Sequence, residues 1–123
     1  MYTPVEIIDF IINSVQVLLE RNFGRGFDHR DIKVLEPFAG TGTFVSRLLE
    51  STHIGDNLYK KYKNDIFANE MILLAYYIAA VNIETTYSSL QNGKYVPFEG
   101  INYTDTIKPV SYTHLTLPTI CSV

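Results

Sequence analysis

The chain has 123 residues, a formal net charge of −3 at pH 7 and a hydrophobic fraction of 46%. That length allows one small domain, and the apolar fraction is too high for a compositionally disordered chain. The slight acidity argues against a broad basic face for nucleic acid, so we expect any contacts with DNA to lie mostly outside this sequence.

Three further features narrow the cellular setting. Cys121 is the single cysteine, which excludes an internal disulfide and a metal site built on several thiols. No apolar run approaches the ~20 residues that span a bilayer, so we expect no membrane partner. The amino terminus carries the acidic Glu6 and Asp9 where a signal peptide would be basic, so we predict a cytoplasmic protein.

The first predicted element is an amphipathic helix. Thr3 supplies a hydroxyl cap, Pro4 suits the first turn, and Glu6 completes a capping-box pattern with Thr3. Two glycines, the first of them Gly24, are expected to end the helix near Arg21. The apolar residues that recur at helical spacing are Val5, Ile8, Ile12, Val15, Leu18 and Leu19.

A glycine-rich turn separates the first predicted strand from the second helix. Residues 32–36 are predicted to form a short strand, and residues 37–42 contain too much proline and glycine to continue it. Residues 51–64 are polar and are predicted to form a connection with a helical turn. Within it, the lysine-rich residues 60–63 are expected to be a solvated face, with contact to DNA phosphates as the alternative. The second helix starts with Phe44, Val45, Leu48 and Leu49.

The second half continues the alternation of strands and helices. Residues 65–69 are predicted to form the second strand, residues 70–85 a strongly apolar helix, and residues 100–105 a weaker third strand. Tyr76 and Tyr77 of that helix are expected to pack rather than to stack on bases. The alternation predicts an α/β fold with a mainly parallel sheet and an amino-terminal helix.

The tail, residues 109–123, breaks this pattern. It has no charged residue, no helical period and no clean alternation of apolar and polar residues. Residues 110–119 resemble the translation of a transposon-type sequencing adapter, so we expect the natural sequence to stop near Lys108. A real but irregular loop is the alternative. On the adapter interpretation His114 and Cys121 carry no functional meaning, and residues 1–108 form a partial domain.

The turn after the first strand is the most informative segment. In doubly wound sheets, ligands bind beyond the carboxyl ends of strands, at turns of this kind. Gly40 and Gly42 permit a sharp turn and a close approach of the backbone to a ligand, and Glu36 can receive an ammonium group or a water molecule. The alternatives are that the glycines merely close an ordinary connection and that Glu36 satisfies backbone amides of the turn.

Two kinds of nucleotide site are excluded by the residues after Gly42. A P-loop carries lysine and then Ser or Thr at this point, whereas here Thr43 follows directly and no lysine is present. A dinucleotide fingerprint has a third glycine where Val45 stands. The turn therefore favours a ligand that lacks a pyrophosphate.

The run EPFAGTGTF at residues 36–44 resembles the first motif of the DNA methyltransferases that methylate amino groups, which holds the methionine part of S-adenosylmethionine. The Tyr-Thr-Pro start resembles the segment that lines this end of the cofactor in the adenine-specific branch. By the same resemblance Glu70 is the acid that hydrogen-bonds the ribose hydroxyls, and Asp105 the acid near the adenine amino group. The cofactor-binding residues implied are Tyr2, Thr3, Pro4, Glu36, Pro37, Phe38, Gly40, Gly42, Thr43, Glu70 and Asp105.

The resemblance covers about residues 1–105 and implies a truncated Rossmann-like methyltransferase fold. It implies transfer of a methyl group from S-adenosylmethionine to the N6 amine of adenine in double-stranded DNA. Residues 68–80 look most like long bacterial restriction–modification polypeptides, in which helicase-like and nuclease parts often share the chain.

This sequence departs from the family in one important respect. The catalytic Asn/Asp-Pro-Pro-aromatic motif, which binds a flipped adenine, is absent, so this chain by itself is expected to be inactive. Simpler roles stay open for Thr3 as a helix cap, Glu70 as an acid at a helix start and Asp105 as a turn residue. The alternatives for the whole protein are a methyltransferase acting on RNA or protein, and a non-catalytic DNA-recognition or assembly subunit with a relict cofactor pocket.

Overall fold

The computed structural model describes residues 3–104, which form three strands and four helices. In chain order the elements are α1 (Val5–Phe23), β1 (Val34–Glu36), α2 (Thr43–Glu50), the one-turn α3 (Leu58–Lys60), β2 (Ile66–Glu70), α4 (Leu73–Leu90) and β3 (Ile101–Tyr103). The predicted α/β class is confirmed. The predictions for Tyr2, Asp105 and the tail lie outside the described residues.

The three strands form one parallel sheet in the order β1-β2-β3. Val34 pairs with Ile66 in β1 and β2, and Ala68 pairs with Ile101 in β2 and β3. Because successive crossovers in a parallel sheet are right-handed, α2 and α4 lie on the same face, where they pack against each other. All three strands point their carboxyl ends to one edge of the sheet.

The core lies between this sheet face and the helices. Val45, Leu48, Ala68 and Ile83 are fully buried there. Helix α4 is apolar on two sides. One side faces the core, and the other exposes a second apolar stripe formed by Leu74, Tyr77, Ile78 and Val81. Of the two tyrosines predicted to pack, Tyr76 lies against the core, whereas Tyr77 is largely exposed and its ring meets that of Tyr76 edge-on at 5.3 Å.

The start of α1 corrects the predicted capping box. The N-cap residue is Pro4, in an extended conformation, and no side chain forms a capping hydrogen bond. The carbonyl of Pro4 accepts hydrogen bonds from the N–H groups of Ile7 and Ile8, so the helix begins one residue too late for Thr3 to act as the cap. The helix ends at Phe23, two residues beyond the predicted end, and Gly24 follows in a left-handed conformation with φ 68°, as expected for a glycine that ends a helix.

The connection between α2 and β2 is more structured and more buried than its polar sequence predicts. It contains a 3-10 turn (Gly55–Asn57), α3 and a π-helical turn (Lys61–Asp65). Lys61 and Tyr62 are each only 1% exposed, so the prediction of a solvated lysine-rich face is wrong for these two residues. Tyr62 stacks on Tyr87 with ring centroids 3.8 Å apart and donates a hydrogen bond to the Val96 carbonyl.

Lys61 is buried with its charge compensated. Its Nζ donates hydrogen bonds to the carbonyl oxygens of His29 and Ile32 and lies 3.3 Å from a carboxylate oxygen of Asp65. Asp65 also accepts a 2.7 Å hydrogen bond from Lys33. Burial is the main influence on the pKa of Lys61 and lowers it, against the attraction of Asp65. These contacts join the loop before β1 to the start of β2 at the amino edge of the sheet.

The remaining differences are shifts in the ends of predicted elements. Strand β1 begins at Val34 rather than at residue 32, and β3 is limited to Ile101–Tyr103. Glu70 is the last residue of β2 and not the first of α4, which starts at Leu73 and continues to Leu90. The helix starts later because Ile72 is still extended, with φ −98° and ψ 119°.

Candidate functional site

The turn between β1 and α2 lies at the carboxyl edge of the sheet and is held by backbone hydrogen bonds. The N–H of Ala39 donates to the Asn69 carbonyl in β2 at 2.9 Å, and the N–H of Gly42 donates to the Ala39 carbonyl at 2.9 Å. Gly40 and Gly42 have φ values of 58° and 84°. Both lie in the left-handed region that side chains other than glycine rarely adopt, which explains why the turn contains two glycines.

The two glycines face different surroundings. A Cβ on Gly42 would lie 3.1 Å from both the Ala79 carbonyl oxygen and Cγ1 of Ile83, so this glycine allows α4 to pack against the turn. A Cβ on Gly40 would have nothing within 4 Å. The open side of the turn is therefore at Gly40. The packing of α4 accounts for Gly42 without a ligand, and its assignment to the cofactor stays a prediction.

Glu36 ends β1 and reaches over the turn. One of its carboxylate oxygens accepts a hydrogen bond from the N–H of Phe38 at 3.0 Å, which is the simpler role left open above. Partial burial raises the pKa of Glu36, and the hydrogen bond from Phe38 opposes that shift. No cation is needed to hold this side chain in place, yet a cationic ligand group beside it would favour the ionised carboxylate and lower its pKa.

Glu70 joins two loops through its carboxylate. One oxygen accepts a hydrogen bond from the N–H of Gly40 at 2.8 Å, and the other accepts one from the N–H of Ile72 at 2.9 Å. The residue is only 7% exposed. Paired residues of parallel strands point to the same face, so the register of Glu36 with Ala68 places Glu36 and Glu70 on the same side of the sheet. The structure therefore brings Glu36, the Gly40 turn and Glu70 together.

Apolar side chains flank the two acids, and all of them except the predicted Phe38 were missed by the sequence prediction. Met71 and Ile72 follow Glu70 directly and are 49% and 59% exposed. Tyr103, at the end of β3, is 53% exposed and its ring lies 5.7 Å from that of Tyr76. Phe38 of the turn is also exposed. The sequence feature that could have identified them is the pair Met71 and Ile72, two large apolar residues between the acid that ends β2 and the start of α4.

The other predicted site residues that fall within residues 3–104 lie at the same end of the molecule. Arg47 of α2 forms two hydrogen bonds with Asp9 of α1, at 3.0 and 2.7 Å, and His53 after α2 bonds to Asn13. These pairs show that α1 and α2 run in the same direction, so Thr3 and Pro4 lie at the end of α1 nearer the turn. Thr43 begins α2, and its hydroxyl lies 3.3 Å from that of Thr41. Pro37 follows Glu36 in the turn.

This arrangement has a definite binding chemistry. Two carboxylates can accept hydrogen bonds from ammonium or hydroxyl groups, and the exposed apolar residues beside Glu70 can cover a flat ring. The φ of 58° at position 40 favours glycine, and the space beside it is open to a ligand. No residue in the described range 3–104 belongs to a cluster of three or more metal-ligating side chains. Within the same range, no helix combines the length and apolarity needed to cross a membrane.

Comparisons with solved structures relate this segment to much longer enzymes. Over 86% of the chain, it is 39% identical to DrdV in a complex with DNA, with a TM-score of 0.81. It is 43% identical, over 85% of its length and with a TM-score of 0.78, to a nuclease-deletion mutant of the Type ISP restriction–modification enzyme LlaGI in complex with a DNA substrate mimic. A third match is the ATP-dependent Type ISP restriction–modification enzyme LlaBIII bound to DNA, with 42% identity over 85% of the chain and a TM-score of 0.77.

These matches make the chain a relative of restriction–modification enzymes. It covers 10%, 9% and 8% of the three solved chains, so it corresponds to about a tenth of their length. No protein-family model matches the chain, and no curated protein matches it closely enough to count as a relative.

Proposed function

We propose that this chain forms the S-adenosylmethionine-binding part of a DNA methyltransferase that modifies the N6 amine of adenine in a restriction–modification system. The observation that carries the proposal is the Gly40 turn, open on its outer side and bonded to Glu70 at the carboxyl edge of a parallel sheet. The similar solved chains are in complexes with DNA, which favours DNA over RNA or protein as the substrate.

The residues present fit the chemical groups of this cofactor. Glu36 would receive the ammonium group of the methionine part, because its pKa is raised by burial and a cation beside it stabilises the ionised form. Glu70 spends one lone pair of each oxygen on backbone N–H groups, so lone pairs remain for the ribose hydroxyls. Met71 and Ile72 would lie against the adenine ring.

The cofactor, when bound, supplies an electrophilic methyl group on a sulfonium centre. This chain's own residues would bind and orient it: the open backbone at Gly40 allows close approach, and the two acids hold its polar ends. Activation of the adenine amine is assigned to an Asn/Asp-Pro-Pro-aromatic motif elsewhere in the whole protein, since flipped bases are held by hydrogen bonds and stacking. Finding that motif encoded within a few tens of residues beyond Lys108 would support the enzyme, and its absence would favour a relict pocket in a DNA-recognition or assembly subunit.

Cofactor binding can be tested on the chain itself with two matched glycines. Gly40 and Gly55 have φ values of 58° and 55°, and a Cβ on either meets nothing within 4 Å. Replacing either by alanine therefore imposes similar backbone strain, about 1–2 kcal/mol. Gly40→Ala should weaken binding of S-adenosylhomocysteine, measured by calorimetry, by on the order of tenfold or more, whereas Gly55→Ala should leave it unchanged. Equal affinities in both variants would contradict the proposed site.

Methyl transfer itself is tested on the whole protein. After incubation with unmethylated DNA and isotope-labelled S-adenosylmethionine, digestion and mass spectrometry should find the label in N6-methyladenine. Label in N4-methylcytosine would support methyltransferase activity but would show that the substrate base is cytosine rather than adenine. Absence of label, with cofactor still bound, would support the relict pocket.

A further inference from the structure

Glu70 makes an arrangement that no other carboxylate in the described part of the chain makes. Each of its two oxygens accepts a hydrogen bond from a backbone N–H, and the two N–H groups belong to different loops. Gly40 lies in the turn between β1 and α2, and Ile72 lies in the turn between β2 and α4. The side chain is almost fully buried between them.

The bond to Gly40 determines how the open turn is oriented. No atom packs where a Cβ of Gly40 would stand, so hydrogen bonds hold the peptide group that precedes it: its Ala39 carbonyl accepts from the N–H of Gly42, and its Gly40 N–H donates to Glu70. The neighbouring hydrogen bond from Ala39 to the Asn69 carbonyl anchors the residue before Gly40. The charge-assisted bond to Glu70 then directs the Gly40 N–H inward and leaves the outer side of the turn free.

We propose that Glu70 is a positioning residue that holds the Gly40 turn in its ligand-accepting conformation before the cofactor arrives. The identity of the ligand rests on the proposed function, whereas the tether is a property of the free chain. Preorganisation of this kind raises affinity because less conformational freedom is lost on binding. The effect of Glu70 on affinity is therefore expected to exceed any direct contact with ribose hydroxyls.

The tether is tested without ligand by amide hydrogen exchange in a Glu70→Gln variant. Glutamine keeps the size of the side chain but has one acceptor oxygen, and its amide nitrogen cannot accept the second N–H. Exchange at Gly40 or Ile72 should accelerate by on the order of tenfold. Glu84→Gln is the matched control, because the Glu84 carboxylate also bonds through both oxygens, to the N–H of Phe98 and the hydroxyl of Tyr95.

Glu84 lies eleven residues into α4, roughly 16 Å along the helix from its start, so its loss should leave exchange at Gly40 and Ile72 unchanged. Unchanged exchange at both amides in Glu70→Gln would overturn the tether. If Glu70→Gln fails to fold, Glu70→Asp provides the same test, because its shorter side chain cannot reach both loops.

A second measurement separates positioning from direct contact. S-adenosylhomocysteine and its 2′,3′-dideoxy analogue, which lacks the ribose hydroxyls, are titrated against the wild type and Glu70→Gln. Positioning predicts that both ligands lose on the order of tenfold in affinity. Loss confined to the ligand with hydroxyls would mean that Glu70 acts by contact alone and would overturn the proposal. If the wild type binds neither ligand, the proposed function fails, and the exchange experiment still decides the tether.

Discussion

The two edges of the sheet bury charge in different ways: the amino edge buries a pair of opposite charges, Lys61 and Asp65, whereas the carboxyl edge, within the described residues, buries only Glu70. At the amino edge, Lys61 donates to two backbone carbonyls and is also paired with Asp65. At the carboxyl edge, Glu70 accepts from two backbone N–H groups and, within residues 3–104, has no cationic partner. The buried lysine of the first edge therefore has an ion-pair partner. The second edge places an acid without such a partner among residues 3–104 beside an open turn, which suits a cationic or hydroxylated ligand.

The same contrast extends to the neighbouring residues. Tyr62 and Tyr87 stack beside Lys61 in the interior, whereas the apolar residues beside Glu70, among them Met71 and Ile72, stay exposed. Burying apolar side chains stabilises the fold, and leaving them exposed does not. The amino edge is therefore expected to carry stability and the carboxyl edge to carry binding.

The largest loss of stability is expected for Lys61→Met. The substitution leaves the His29 and Ile32 carbonyls without their donor in a buried position, which should lower the free energy of unfolding by about 2–4 kcal/mol. Urea unfolding of the chain measures the change. Lys60→Met, at an exposed neighbouring position, is the control and should behave like the wild type. If both variants are equally stable, the amino edge does not carry the stability assigned to it.

Gly42→Ala is expected to have the next largest effect on stability. Gly42 lies at the carboxyl edge, and it is the residue there that we expect to contribute to stability rather than to binding. The added Cβ would press on the Ala79 carbonyl at 3.1 Å and adopt an unfavourable φ of 84°, at a combined cost of about 2–3 kcal/mol. Gly93→Ala has nearly the same φ, 86°, with nothing within 4 Å, and should cost only the backbone strain, about 1 kcal/mol. Comparison of the two unfolding curves isolates the contact with α4. Equal losses would show that α4 moves away without penalty.

A smaller effect, with a defined pH dependence, is expected from Glu36. Burial raises its pKa in the folded chain above the ordinary 4.5, so the folded state holds the proton more tightly than the unfolded state. Its contribution to stability is therefore present at low pH and is lost as the pH rises from about 4.5 through the folded pKa. We therefore expect the difference in free energy of unfolding, wild type minus Glu36→Gln, to decrease as the pH rises over that range. An increase with pH would show that the pKa of Glu36 is lowered in the folded chain rather than raised.

Binding should show the opposite dependence at the same residue. A cationic ligand group favours the ionised carboxylate, so the affinity for S-adenosylhomocysteine should increase as Glu36 loses its proton. In Glu36→Gln this increase should disappear. Calorimetry at several pH values therefore tells whether Glu36 contacts the ligand or only supports the turn.

The smallest effect is expected for Lys63→Met, two residues from Lys61. Lys63 pairs with Glu99 at 2.9 Å, but the Glu99 side chain is 67% exposed, and exposed pairs add little to stability. The unfolding midpoint should match the wild type within error. A loss comparable to that of Lys61→Met would mean that the lysine-rich segment is stabilised as a unit rather than through its buried member.

The sequence by itself determined the order of strands and helices, the turn at Gly40 and the acid that ends β1, and it placed Glu70 at the boundary between β2 and the next helix. These follow from local rules: apolar periodicity selects helix or strand, and glycine marks positions where φ is positive. The alternation of elements also determined that β1 and β2 are parallel and so bring Glu36 and Glu70 to one edge. The ends of elements did not follow from the sequence, as the wrongly predicted capping box of Thr3 shows.

The tertiary structure decided how individual residues are used. Lys61, Lys60 and Lys63 look alike in the sequence, and burial of Lys61 depends on the carbonyls of His29 and Ile32, about thirty residues away, and on Asp65. Gly40 and Gly42 are equivalent in the motif, and only the approach of α4 separates them. Glu70 became a tether because the Gly40 N–H reached it from another loop. Each distinction depends on contacts between residues distant in the chain, which no local pattern encodes.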